Sequence, residues 1–383
     1  MSSRFLFRRA VLAAALAAVS GLSLPAVAAD AKPAGKKPKP KIEVVFCLDT
    51  TGSMGGLIQG AKDKIWSISN QIAGGKPSPD LKIGLVAYRD RRDAYITKIV
   101  DLTDDLDAIH AKLRELQAAG GGDGPESVNQ ALDDSVNKIK WSSDKKTLRI
   151  IFLVGDAPPH MDYPDDAKYP ATCKKACEKG IIINTIQCGG DGECQKHWKE
   201  ICKLAEGSYA QIAQTGGVVA VATPFDGELK KINDELATST LVYGGVAKRR
   251  AGEAKRDEAR KLAAPAAADR AAFAAKDGKA AAYDLLDAIK AKKVKLADLK
   301  ESELPEQMKK MNAKERQEYL DKLEKRRAEL SKKALELDKK RAAYIKEELA
   351  KRAKKEGKDA KDSFDNQVLE TLRKQAKKHN IDY

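Results

Sequence analysis

Aromatic side chains are scarce in this chain: Phe, Tyr and Trp make up 5% of 383 residues, against 33% for Asp, Glu, Lys and Arg. A composition this hydrophilic cannot pack throughout as one compact globule, so part of the chain is solvated helix or linker. The length still suffices for two domains with a full core in at least one. Histidine is scarcer again. His110, His160, His197 and His379 are the four present, and none has a spaced partner of the kind that catalysis needs. No Gly-rich phosphate fingerprint of the dinucleotide or P-loop kind occurs. No internal repeat is evident, and no Cys-x-x-Cys pair anchors a zinc site among Cys188, Cys194, His197 and Cys202.

Long apolar runs are also missing. The stretch Val11 to Leu24 is too short to span a bilayer comfortably. It follows Arg4, Arg8 and Arg9 and precedes the small residues Pro25 to Ala29, the order of a cleaved secretory signal. Residues 1–29 are therefore expected to be removed on export, and the mature chain to be periplasmic or secreted. No cysteine follows the cleavage region, so there is no lipid-anchor signal. Residues 30–41, rich in Lys and Pro, read as an extended tether. The net charge of +15 favours anionic partners or surfaces and says nothing about fold.

What is present is organised around Phe46-Cys47-Leu48-Asp49-Thr50-Thr51-Gly52-Ser53-Met54. The apolar and β-branched residues from Ile42 to Leu48 predict a buried strand. It ends in a carboxylate followed by hydroxyls at every second position. In an extended loop Asp49, Thr51 and Ser53 point the same way, and one carboxylate with two hydroxyls is a hard oxygen set suited to Mg²⁺ or Mn²⁺ rather than Zn²⁺. An ordinary Asx or Ser/Thr turn fits the same residues.

Downstream, helical and strand patterns alternate. Gly56 to Ile72 predicts an amphipathic helix, Leu81 to Tyr88 a second buried strand, and Tyr95 to Leu102 a third at the edge. Asp104 and Asp105 cap a helix running to about Ala118. A helix over Ser127 to Lys140 follows the loop Gly120-Gly121-Gly122. The strands Leu148 to Val154, Ile181 to Gln187 and Tyr209 to Ala213 alternate with helices near Asp165 to Lys179 and Cys194 to Ala205. A helix within Pro224 to Leu241 carries Leu229, Ile232 and Leu236 on one side. The expected fold is α/β with a doubly wound, mainly parallel sheet over residues 42–245. Such sheets bind ligands at the carboxyl ends of their strands, where the acidic loops fall.

These loops, Asp49-Thr50-Thr51-Gly52-Ser53, Asp123-Gly124-Pro125-Glu126 and Asp156-Ala157-Pro158, together resemble the metal-ion-dependent adhesion site of a von Willebrand factor A domain. The similarity is greatest to the I-like domain of integrin β subunits, which also uses an Asp-x-Pro-Glu loop. The resemblance implies metal ligation by Asp49, Thr51, Ser53 and Glu126, with Asp156 acting through water. It also implies a second cation, Ca²⁺, near Asp90 and Asp123, unless Arg89, Arg91 and Arg92 pair with those carboxylates instead. Gly55-Gly56-Leu57 stands where the family places acidic side chains for a third site. The implied function is non-enzymatic: the cation captures an acidic group of a partner protein.

Cys47 is read as a small buried apolar side chain. An exported chain permits disulfides among Cys173, Cys177, Cys188, Cys194 and Cys202; the expected pairs are Cys188 with Cys194, and Cys202 with Cys173 or Cys177. From Val246 to Tyr383 the composition shifts to Ala, Lys, Arg and Glu, predicting a basic, all-α, coiled-coil-like region. Leu323, Leu330, Leu337 and Tyr344 recur every seven residues, and Asn312 with Glu315 makes a capping box. Arg327 and Arg341 spoil the companion row, favouring packing on Leu285, Leu286 and Ile289 or a solvated arm over a strong zipper. Phe364, Val368, Leu369 and Leu372 form a terminal amphipathic helix that needs a docking surface. Two rival functions are a basic scaffold adhering to an anionic envelope surface and a metal-dependent hydrolase. No nucleic acid is expected, since the tail lacks interleaved aromatics for base stacking.

Overall fold

The computed structural model describes residues 39–122, 124–217, 221–356 and 363–383; the expected signal sequence, most of the tether and Asp123 lie outside the described residues. Lys39 to Tyr383 form one compact unit. Its sheet has six strands: β1 (Lys41–Asp49), β2 (Asp80–Tyr88), β3 (Thr97–Thr103), β4 (Leu148–Gly155), β5 (Ile181–Cys188) and β6 (Tyr209–Ile212), in the order β3-β2-β1-β4-β5-β6. Only β3 runs antiparallel, at the edge beside β2. β1 lies between β2 and β4, so the chain winds outward from β1 in one direction and then returns to wind in the other. This places a switch in strand order at the carboxyl end of β1, where the loops after β1 and β4 diverge.

The apolar run of β1 is continuous because both faces of the sheet are covered. Val44, Phe46 and Leu48 enter one core cluster with α1 (Gly55–Ala73) and α2 (Leu106–Glu115). Val45 and Cys47 enter the other, with α3 (Val128–Asn137), α4 (Tyr169–Glu178) and α5 (Gly192–Leu204). Asp105 caps α2 by accepting from Ala108 N–H at 3.1 Å.

The C-terminal region is helical, in α6 (Asp226–Thr238), α7 (Val246–Arg260), α8 (Ala264–Asp277), α9 (Leu285–Lys290), α10 (Ala313–Glu356) and α11 (Phe364–Ala376). Leu229, Ile232 and Leu236 of α6 pack on Ala268 and Ala271 of α8 and on Leu330, Ala334 and Leu337 of α10, away from the sheet. The sheet face is completed instead by α11, whose Phe364, Val368, Leu369 and Leu372 join Phe46 and Phe152 in the first cluster. The docking surface that α11 needs is therefore the sheet itself. Asn184 of β5 and Gln375 of α11 exchange hydrogen bonds of 3.2 and 2.8 Å across this contact.

α10 begins with the expected box: Glu315 N–H donates to Asn312 Oδ1 at 3.0 Å, and Asn312 N–H to Glu315 at 2.7 Å. Leu320 and Leu323 pack with Leu285, Leu286 and Ile289, as the pattern predicts. The two arginines in the seam are buried on the same chain's carboxylates. Arg327 makes two 2.8 Å bonds to Asp284, and Arg341 reaches Asp226 at 2.7 Å and Asp269 at 2.8 Å.

All six cysteines are free thiols, which corrects the expected disulfides. Cys188 points into the cluster on one side of the sheet and Cys194 into that on the other, so the sheet itself separates the pair. Cys173, Cys177 and Cys202 each donate to a backbone carbonyl of α5 rather than bonding one another.

Candidate metal site

Asp49 is the last residue of β1, fully buried at the switch point. Its Oδ1 accepts from Thr51 N–H at 2.9 Å and from Thr51 Oγ1 at 2.7 Å, while Thr51 Oγ1 stands 3.5 Å from Ser53 Oγ. The strand end thus folds both hydroxyls back beside the carboxylate. Asp49 Oδ2 has no hydrogen-bond partner.

The second loop is stitched to the first by backbone bonds, Gly52 N–H to Gly120 at 3.1 Å and Ala119 N–H to Thr50 at 3.2 Å. Gly121 has φ +79°, and a β-carbon there would stand 3.2 Å from Glu126 Oε1 and 3.4 Å from Thr51 Cβ. Glycine lets this backbone close over the place where Glu126 and Thr51 meet. The third loop is tied in by Glu126 N–H to Pro158 at 2.9 Å and His160 N–H to Glu126 at 3.1 Å. Glu126 is buried, and its Oε2 also lacks a partner. At Gly155, before Asp156, a β-carbon would lie 3.0 Å from Asp49 Oδ2, so the end of β4 touches the same carboxylate.

Burial drives the electrostatics. It pushes the Asp49 carboxyl up to about 7, against the opposing Thr51 N–H bond, with the Asp156 charge adding to the rise. Glu126 is pushed up to about 9 by burial, then by the charges of Asp49, Asp90, Asp93 and Asp156. Taking carboxylates out of water without a counter-charge favours the proton; a hard cation at the same place would replace it. Two orphaned carboxylate oxygens beside two hydroxyls fit Mg²⁺ or Mn²⁺. Among the described residues no group of three or more His, Cys, Asp or Glu side chains is arranged to hold a metal; the donors here are mixed carboxylates and hydroxyls.

Asp156 reaches the edge of the site, where it accepts a short hydrogen bond from the side chain of Gln214. Asp90 is turned to other work. Its oxygens accept from Ser127 Oγ at 2.7 Å and Tyr163 OH at 2.8 Å, and His160 Nε2 stands at 3.6 Å. The arginines do not pair with it: Arg91 binds Asp165 and Asp166, and Arg89 bonds backbone carbonyls. Ser127, next to Glu126, is thereby engaged by Asp90.

Gln214 is a participant that the sequence pattern did not pick out, and Arg89, expected as an ion-pair partner of nearby carboxylates, has a different role. Arg89 is buried and braces two loops, donating to Thr50 O at 3.1 Å and Gln117 O at 2.7 Å. Its position immediately after the last residue of β2 was the available signal; an amide on a distant loop gave none.

Residues 43–224 match the family model described as von Willebrand factor A domain. The match covers a little under half of the chain. A von Willebrand factor A domain-containing protein 7 of Mus musculus is 33% identical over 144 residues, 38% of this chain and 15% of that protein. A putative ariadne-like RING finger protein of Acanthamoeba polyphaga mimivirus is 28% identical over 125 residues, 31% of this chain and 11% of the other. The chain therefore spans a small part of the length of these relatives. Among solved structures, the SpRpn10 VWA domain aligns with 46% of this chain and 89% of its own, at 15% identity and a TM-score of 0.35.

Proposed function

We propose that the A domain binds Mg²⁺ or Mn²⁺ through Asp49, Thr51, Ser53 and Glu126, with Asp156 at one remove, and that the protein is a binding protein rather than an enzyme. The observation that carries this reading is the pair of buried, unpartnered oxygens, Asp49 Oδ2 and Glu126 Oε2, brought together by three loops. A cation held by few protein charges would supply a positive centre with an open position for an acidic group of a partner protein. The chain's own contribution is to hold the carboxylates dry and the hydroxyls beside them, with Arg89 fixing Thr50 and Gln117.

One cation is proposed, because both Asp90 oxygens are engaged by Ser127 and Tyr163. The export signal over residues 1–29 remains part of this reading, with the site acting outside the cytoplasm; the amino-terminal sequence of the mature protein tests it.

Thermal unfolding with and without Mg²⁺ tests the site. A ligand that binds only the folded state stabilises by RT ln(1 + [L]/Kd), about 2.7 kcal/mol at a hundredfold excess over Kd. Asp49→Ala is expected to lose the response, together with chelator-sensitive capture of the partner. An equal melting shift in Asp49→Ala and the parent would overturn the assignment.

A further inference from the structure

One rung of the sheet ends at the metal loops. Asp49 of β1 is paired with Tyr88 of β2, and Gly155 of β4 follows Val154, the partner of Leu48. Side chains alternate along each strand. Val45 and Cys47, Val86 and Tyr88, and Ile151 and Leu153 enter the cluster beneath α3, α4 and α5, so positions 49 and 155 face that side as well. Tyr88 is fully buried, and its carbonyl accepts from Thr50 N–H at 2.9 Å and from Thr50 Oγ1 at 2.8 Å, which ties the end of β2 to the loop after Asp49.

With no side chain at 155, the Tyr88 ring extends across β1 and its hydroxyl stands over that glycine. A β-carbon at 155 would lie 2.5 Å from Tyr88 Oη and 3.0 Å from Asp49 Oδ2, so the phenol and the carboxylate oxygen are neighbours there. Both atoms are buried, and neither has a hydrogen-bond partner among the described residues. They are of opposite kind: a phenol has a proton to donate, and a carboxylate oxygen accepts. Burial, then the Asp49 charge, pushes the phenol well above its usual value, so it keeps that proton. Phenylalanine would fill the same space without burying a polar group, so a tyrosine here is costly unless its hydroxyl is used.

We propose, resting on the cation reading given above, that Tyr88 is a positioning residue of that site. Its O–H supplies the hydrogen bond that Asp49 Oδ2 accepts once the carboxylate is ionised on a cation. Asp49 is then oriented from both ends, Thr51 donating to Oδ1 at 2.9 and 2.7 Å and Tyr88 to Oδ2. Carboxylates that hold a metal depend on such partners, whose removal costs about tenfold or more in metal affinity. Glycine at 155 keeps the space between the two oxygens open, since a side chain there would have to move the Tyr88 hydroxyl.

The test is Mg²⁺ titration of the full chain, read by thermal unfolding and by the tyrosine absorption band, in the parent, Asp49→Ala, Tyr88→Phe and Tyr169→Phe. Tyr88→Phe is expected to raise the Mg²⁺ dissociation constant about tenfold. It should not lower the metal-free melting temperature, since it deletes a buried hydroxyl that bonds nothing. Tyr169 is the control, equally buried but bonded to His197 and Glu200 at 3.0 and 2.9 Å. Its Phe variant should lower the metal-free melting temperature and keep the parent's Mg²⁺ affinity. Mg²⁺ should also shift the tyrosine band in the parent and in Tyr169→Phe, as the Tyr88 phenol gains an acceptor, and leave it unmoved in Tyr88→Phe. If the parent and Asp49→Ala respond alike to Mg²⁺, the cation site itself falls and the role of Tyr88 with it. If Asp49→Ala loses the response while Tyr88→Phe keeps the parent's affinity, the cation site stands and the Tyr88 role alone is overturned. A phenolate band on loading would make Tyr88 a ligand and equally overturn the positioning role. Should Tyr88→Phe fold poorly, the parent decides: a tyrosine band unmoved at saturating Mg²⁺ overturns the proposal.

Discussion

Buried carboxylates occur in two regions of this molecule and are treated in opposite ways. In the helical region Asp284 receives two bonds from Arg327, Asp226 and Asp269 share Arg341, and Asp107 of α2 is gripped by Arg270 from α8 at 2.7 and 2.8 Å. At the carboxyl edge of the sheet, Asp49 and Glu126 are as deeply buried, yet each keeps an oxygen with no partner. A buried charge costs several kcal/mol unless it is paired. Where the fold only needs to join helices, an arginine supplies the pair. Where the loops converge, Asp49 and Glu126 have no ion pair among the described residues.

Three experiments press on this contrast, and the largest effect belongs to the paired region. Arg327→Met leaves Asp284 buried without its counter-ion and should destabilise the protein by about 3–5 kcal/mol, measured by denaturant unfolding. A loss below ~1 kcal/mol would mean that the pair behaves like a surface bridge.

At the unpaired region the sign reverses in the absence of metal. Asp49 is pushed up to about 7, above its usual 3.8, so the folded state holds more protons than the unfolded state between those values. Metal-free stability should be greatest below about pH 4 and fall as pH rises through 7, by up to about 4 kcal/mol from this group. Asp49→Asn should flatten that fall, and the variant should be more stable than the parent at pH 8 without metal. Mg²⁺ should restore the parent and leave the variant unchanged. Equal pH slopes in parent and variant would show that Asp49 is not uncompensated.

The smallest effect expected is at the edge of the site. Gln214→Ala frees Asp156 from its amide without removing a donor, and should weaken metal affinity by about tenfold, the lower end for a group that orients a ligand. Titration of Mn²⁺ against Asp49→Ala and Gln214→Ala would rank them; a larger loss at Gln214 would make Asp156 a more direct ligand than proposed.

The oxygen-rich loop after β1 was legible because its residues are local in sequence. Asp49, Thr51 and Ser53 lie within five residues at the end of an apolar run, although the tight turn Gly52–Met54, rather than the extended backbone expected from alternation, is what holds Ser53 near Thr51. The capping box at Asn312 and Glu315 and the heptad row of α10 were legible for the same reason. The arginines at 327 and 341 misled as flaws in a zipper, because their carboxylate partners lie 43 residues away for Asp284, and 115 and 72 for Asp226 and Asp269. Cys188 and Cys194 misled in the opposite way: six residues apart, they looked ready to pair, but alternation along β5 sends the first to the far side of the sheet.

By itself the sequence determined the alternating elements, the two covered faces of β1 and the identity of the hard oxygen donors, since periodicity and side-chain chemistry are properties of short segments. Only the tertiary structure decided that α11, rather than α6, closes the sheet, that Asp90 is satisfied by Ser127 and Tyr163, and that Asp49 and Glu126 each retain an open oxygen. Partnership between residues far apart in the chain depends on which surfaces the packing leaves unfilled, and no local pattern encodes that.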